Sequence, residues 1–196
     1  MAPFSRRDIL LSSLAALPLA GSAAQSGASD PAPPKTASPG PARASKPAKN
    51  PEAKFHNKPG PLVKNAVTED SPCFLGPGHN GISRETRLLR EWPRGGPRLV
   101  WALSKGSGYS SPAIKGDYLI YMDRRDNDER IRAIHPETAE LYWEFRYPTA
   151  YQDRYGYNNG PRSTPVIDGE AIYTYGAEGK LHCLRLSDGA VLWKRD

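Results

Sequence analysis

The stretch "SSPAIKGDYLIYM" at residues 110–122 returns almost unchanged as "STPVIDGEAIYTY" at 163–175. In each, a glycine turn (Gly116 or Gly169) is followed by a short run of aromatic and β-branched residues. Glycine takes the left-handed backbone of a tight hairpin turn at little cost, so each stretch reads as strand, turn, strand. A third run follows, "RIRAI" at 130–134 or "KLHCL" at 180–184. Then comes a turn, "HPETAE" or "LSDGA", and a fourth run, "LYWEF" at 141–145 or "VLWKR" at 191–195. With one three-residue slip, Pro112 matches Pro165, Ile114 matches Ile167, Ile120 matches Tyr173, Ala133 matches Cys183, and Trp143 matches Trp193.

A repeat of about 40–50 residues built from four short strands is the pattern of a propeller blade. No part of it has helical periodicity. One blade has two large faces and needs neighbours to cover them. Trp143 and Trp193 are expected to fill the gaps between blades. Strand alternation puts Leu141, Trp143 and Phe145 on one face, and likewise Val191 and Trp193. "GPRLVWAL" at 96–103 looks like another fourth strand, with Trp101 in the Trp143 role. The expected fold is all-β: a partial β-propeller of about two four-stranded blades plus a closing strand, after a disordered N-terminal region. The chain stops just after the second blade, which reads as a truncation or as a need for missing blades or other subunits.

Five segments result: a signal peptide at 1–24, a disordered linker at 25–69, a lead-in with a partial blade strand at 70–104, and blades at 105–147 and 148–196. The first carries Arg6 and Arg7 before an apolar stretch too short to anchor in a bilayer. This twin-arginine pattern predicts export to the periplasm or beyond, with no membrane span. The linker is rich in Pro, Ala, Ser and Lys and has almost no large apolar side chains, so it lacks the surface to offset ordering entropy.

The formal net charge of +6 over 196 residues belongs to the front of the chain. Residues 65–196 carry equal numbers of basic and acidic side chains, so nothing predicts a nucleic-acid partner. Export permits a Cys73–Cys183 disulfide, although Cys183 in "LHCL" also suits a buried strand position.

The quoted repeats resemble the PQQ-like β-propeller repeat of quinoprotein alcohol dehydrogenases and of BamB-type outer-membrane assembly proteins. The lead-in "FLGPGHNGISRETRLLREWPRGGPRLVW" at 74–101 is similar to that of exported bacterial members of unassigned function. The resemblance covers residues 72–196 and implies ligands at the loops entering each blade's innermost strand. Here those loops are 106–111 and 147–163.

They contain Tyr109, Ser110, Tyr155, Tyr157, Asn158 and Arg162, the candidate ligand-binding residues. Aromatic rings beside amide and guanidinium groups suit a flat or sugar-like ligand. The other reading is a self-packed loop with buried rings and Arg162 bound to a local carbonyl. "DRRDNDE" at 123–129 reads as a solvated turn rather than a calcium site. The four histidines have no metal spacing, and no nucleophile–base pair is visible.

Quinoproteins of this resemblance use vicinal cysteines, calcium ligands and a catalytic Asp. The chain has no vicinal cysteine pair, so no cofactor is predicted. PQQ with calcium belongs only to an alternative, a dehydrogenase fragment. The leading expectation is a non-catalytic binding or scaffold module with an envelope protein or polysaccharide as partner. A carbohydrate-binding propeller is the third.

Overall fold

A computed structural model describes residues 46–196. Arg6, Arg7 and the rest of the predicted signal lie outside the described residues, as does the first part of the predicted linker. The described chain is all-β, with no helix. It forms three antiparallel sheets of two, four and four strands.

The two-stranded ribbon pairs β1 (Ala53–Phe55) with β2 (Trp101–Leu103). The first four-stranded sheet is β3 (Ala113–Lys115), β4 (Tyr118–Arg125), β5 (Asp128–Ile134) and β6 (Leu141–Pro148), in sequence order. The second repeats the plan with β7 (Val166–Asp168), β8 (Ala171–Tyr175), β9 (Leu181–Arg185) and β10 (Val191–Arg195). Gly116 (φ 52°) and Gly169 (φ 56°) form the first turn of each sheet, as the repeat predicts.

Cross-strand register reproduces the sequence alignment. The row Ala113, Ile120, Ala133, Trp143 in the first sheet corresponds to Val166, Tyr173, Cys183, Trp193 in the second. The main core lies between the two sheets. Ile120, Met122, Ile131, Ala133 and Trp143 pack there against Ile167, Ile172, Leu184 and Leu186. On the opposite face of the first sheet, Tyr121 and Ile134 pack against Ala53, Trp101 and Leu103 of the ribbon. Both faces of the first sheet are therefore covered, which explains the nearly continuous burial of β4 and β5.

Several expectations need correction. Residues 46–69 are not a structureless linker. Ala48 pairs with Leu141 at the outer edge of the first sheet, and β1 completes the ribbon. Composition missed this because the segment is held mainly by main-chain bonds and by Glu52, with the small Ala53 packing into the ribbon-side cluster. The "DRRDNDE" segment is not a solvated turn either. β4 and β5 run on to the pair Arg125 and Asp128, leaving only Asp126 (φ 56°) and Asn127 as the turn. The inserted residues lengthen a hairpin, and Asp123 and Glu129 are fully buried.

The alternation expected for β6 and β10 is broken by a register shift in each strand. One extra residue there moves Leu141 to the ribbon-side cluster while Trp143 stays in the core between the sheets. The matching shift between Val191 and Trp193 breaks the alternation of that pair as well.

The inner edges of both sheets are held by one short segment of the lead-in. Ser71 exchanges two hydrogen bonds with Ile114 of β3, and the carbonyl of Pro72 accepts from Ile167 N of β7 at 2.8 Å. Asp70 accepts from the Gly116 N–H at 2.9 Å, pinning the first turn to the same segment. These bonds satisfy edge groups that would otherwise be open to strand addition.

Candidate ligand-binding surface

The loops entering β3 and β7 meet at one end of the sheets. Tyr109 N and Ser110 N both donate to the Pro161 carbonyl, at 2.8 and 3.2 Å. The Ser110 hydroxyl donates to the Ser163 carbonyl at 2.7 Å. Contact is so close that a Cβ on Gly160 would lie 2.2 Å from the Ser107 carbonyl oxygen. Ser110 is buried, and its hydroxyl joins the two loops rather than facing a ligand.

Arg124 fixes the long loop from below, donating to the carbonyls of Tyr151 and Asn159 at 2.5 and 3.1 Å. Asp153 organises its centre. Its carboxylate accepts from Tyr157 N at 2.7 Å, while its own N–H donates to the Asn159 side chain at 2.8 Å. Asn158 accepts from Gly160 N at 2.8 Å. Arg162 pairs with Asp153 at 3.2 Å and donates to the Asn158 carbonyl at 3.1 Å and the Tyr151 hydroxyl at 3.2 Å. Its guanidinium also lies over the rings of Tyr151 and Tyr109.

The self-packed reading thus describes Arg162 and the buried Tyr147 correctly, and Tyr155 and Tyr157 incorrectly. Tyr155 is 70% exposed and Tyr157 is 77% exposed, with ring centroids 6.2 Å apart. Tyr109 and Tyr175 are exposed as well. Tyr151, Tyr155, Tyr157, Arg162 and Tyr175 border a hollow of about 500 Å³. Tyr157 also borders a second hollow of about 370 Å³, beside Ser107, Gln152 and Asn159.

Trp101, Trp143 and Trp193 occupy equivalent strand positions but different surroundings. Trp143 is buried between the sheets, whereas Trp193 is half-buried with its ring 6.0 Å from Tyr173.

Sequence reasoning missed two buried polar clusters. On the ribbon side, Arg130 pairs with Asp123 at 2.7 Å and Glu52 at 2.9 Å. Arg132 pairs with Glu52 at 2.7 Å and Glu144 at 3.0 Å, and also donates to the Tyr121 hydroxyl. Burial pushes the Glu52 carboxyl up. The Arg130 hydrogen bond and the charges of Arg132, Arg130 and Arg125 outweigh that together and hold it below the usual carboxylate range. Burial also drives the Tyr121 hydroxyl up to about 12. Asp123 with Arg130, and Arg132 with Glu144, are direct cross-strand partners. The signal was the alternating charge in "DRRDNDERIR", readable only once register is known.

Between the sheets, Tyr147 donates a short hydrogen bond to Glu129 and stacks 4.4 Å from the His182 ring. Glu129 also accepts from Ala177 N at 2.9 Å. Burial, and then the Glu129 hydrogen bond, raise the Tyr147 hydroxyl far above its ordinary range. Burial lowers the His182 imidazole, helped by Lys194 and Lys180 and opposed by Asp196.

The structure also brings together a thiol and an imidazole that the sequence reading did not pair. Cys73 Sγ lies 3.7 Å from His79 Nδ1. The thiol also donates a hydrogen bond to the Gly76 carbonyl at 3.1 Å. Cys73 and Cys183 are both buried free thiols, not a disulfide. Among the described residues, no helix is long and apolar enough to cross a membrane.

No protein-family model matches the chain, and no curated protein matches it either.

Proposed function

We propose that the chain is an exported, PQQ-like β-propeller repeat protein of the cell envelope whose task is binding rather than catalysis. The observation that carries this reading is the pair of exposed rings, Tyr155 and Tyr157, on a loop held by hydrogen bonds to Asp153, Asn158 and Arg124. A loop fixed by polar bonds while its aromatic side chains face water is a preorganised contact surface. The propeller part is supported by the repeated register and by the nearness of β3 and β7, the first strand of each sheet. Most charged groups of the buried clusters are paired with one another, as Arg130 is with Asp123 and Arg132 is with Glu52, which suits structural work.

The test is sedimentation of the full chain with isolated cell-envelope fractions, in salt high enough to screen the basic N-terminal region. Specific retention is expected, with Tyr157→Ala reducing it. Retention no greater than that of an unrelated exported protein would remove the proposal. So would dye reduction by the chain mixed with PQQ, calcium and an alcohol, because it would establish the dehydrogenase alternative.

A further inference from the structure

We infer that the Tyr155 and Tyr157 surface is a subsite for an acidic oligosaccharide, one whose sugar rings carry carboxylates. This deepens the binding reading above and rests on it.

Three features define the ligand. The first is ring presentation. Tyr155 and Tyr157 flank Gly156 (φ 74°), and the Asp153 carboxylate holds the backbone of Tyr157. Their planes are tilted by 35° with centroids 6.2 Å apart, so neither ring covers the other face to face. A pyranose has an apolar C–H face that stacks on such a ring and equatorial hydroxyls that need polar partners at the rim.

The second is spacing and polarity. Tyr157 borders both hollows, with Ser163 on one side and Gln152, Asn158 and Asn159 on the other. A linear chain of sugars crossing Tyr157 reaches both with successive rings. The hollow beside Gln152, Asn158 and Asn159 is polar, and the one beside Tyr175 is walled mainly by aromatic rings, a pairing that suits the hydroxyls of one sugar and the C–H face of the next.

The third is charge. The Asp153 carboxylate is neutralised by Arg162. The Arg154 guanidinium instead lies 5.2 Å over the Tyr155 ring, and among the described residues no carboxylate forms a salt bridge with it. An uncompensated guanidinium beside a stacking platform favours a sugar carboxylate, which it can grip through two parallel hydrogen bonds.

The experiment is calorimetric titration of the full chain with tetramannuronate and with cellotetraose, a neutral tetramer. Tetramannuronate is expected to bind at least about fivefold more tightly, with the preference shrinking at high salt. Tyr157→Ala and Tyr155→Ala are each expected to weaken binding about tenfold. Arg154→Ala should erase the preference for the acidic tetramer over cellotetraose. These exposed side chains can be removed without unfolding, which a thermal melt verifies. Equal affinity for the two sugars, or full binding by Tyr157→Ala, would overturn the inference. If neither sugar binds while the chain still sediments with envelope fractions, this inference fails and the binding reading stands. If sedimentation fails too, both fall.

Discussion

The indole N–H of Trp143 donates to the main-chain carbonyl of Leu186 at 2.9 Å, tying the last strand of one sheet to the turn of the next. Trp101 repeats the bond one unit earlier, donating to Pro136 at 2.9 Å. Pro136 and Leu186 hold the same place in their repeats, just after β5 and β9. The ribbon therefore attaches to the first sheet as the first sheet attaches to the second. Trp143→Phe keeps most of the ring packing but leaves a buried carbonyl unpaired, and is expected to cost about 1–2 kcal/mol. Trp101→Phe, at a half-buried site, is expected to cost less, about 0.5–1 kcal/mol. Urea unfolding of the two variants checks the order.

Gly189 matters because of the same tryptophan. Its backbone is left-handed (φ 72°), and an added Cβ would sit 2.5 Å from the Trp143 ring. Gly169 is also left-handed (φ 56°) but faces open space. Gly169→Ala is expected to cost about 1 kcal/mol from backbone strain alone. Gly189→Ala adds the steric conflict and is expected to cost roughly 1–3 kcal/mol more. Comparing thermal unfolding of the two variants isolates the packing contribution.

Glu52 ties the N-terminal segment to the first sheet through Arg130 and Arg132. Glu52→Ala removes a carboxylate shared by two buried guanidiniums, at an expected cost of about 2–4 kcal/mol. Hydrogen exchange should rise first in residues 46–56. The folded carboxyl titrates below its unfolded value, so its contribution is complete above about pH 4.5 and fades as pH falls through the folded value. The acid limb of the stability curve should flatten in Glu52→Gln.

His182 produces a second pH effect in the same direction at higher pH. Its folded imidazole titrates below 6.5, so the unfolded chain takes up the proton first. Stability is unaffected above that value and declines as pH falls below it, until the folded imidazole protonates too. Lys180 and Lys194 favour the neutral ring, and Asp196 opposes them. His182→Phe should keep the stack on Tyr147 and remove this part of the pH dependence. Denaturant midpoints measured between pH 5 and 8 would show it.

How much of this was legible follows from what each feature depends on. Local repetition carried the strands, their order and the two glycine turns, because hairpin turns are written in adjacent residues. The matched rows ending at Trp143 and Trp193 followed from the same repetition. The faces of Leu141 and Val191 did not, since one extra residue in a strand leaves no mark in composition. Tyr155, Tyr157 and Arg162 were recognisable as polar and aromatic loop residues. Which of them point outward depends on Asp153 and Arg124, reached through folded backbone.

By itself, then, the chain's order of residues determined two four-stranded antiparallel units and the loops that meet at one end of them. Turn chemistry and alternation act over a few residues, so they can be read in a line. Only the tertiary structure decided that Glu52 is inserted between two arginines, that Asp123 and Glu129 are buried, and that Ser71 and Pro72 hold both inner edges. Each of those contacts joins segments far apart in the chain, and its energy exists only after register and packing have brought the charges and edges together.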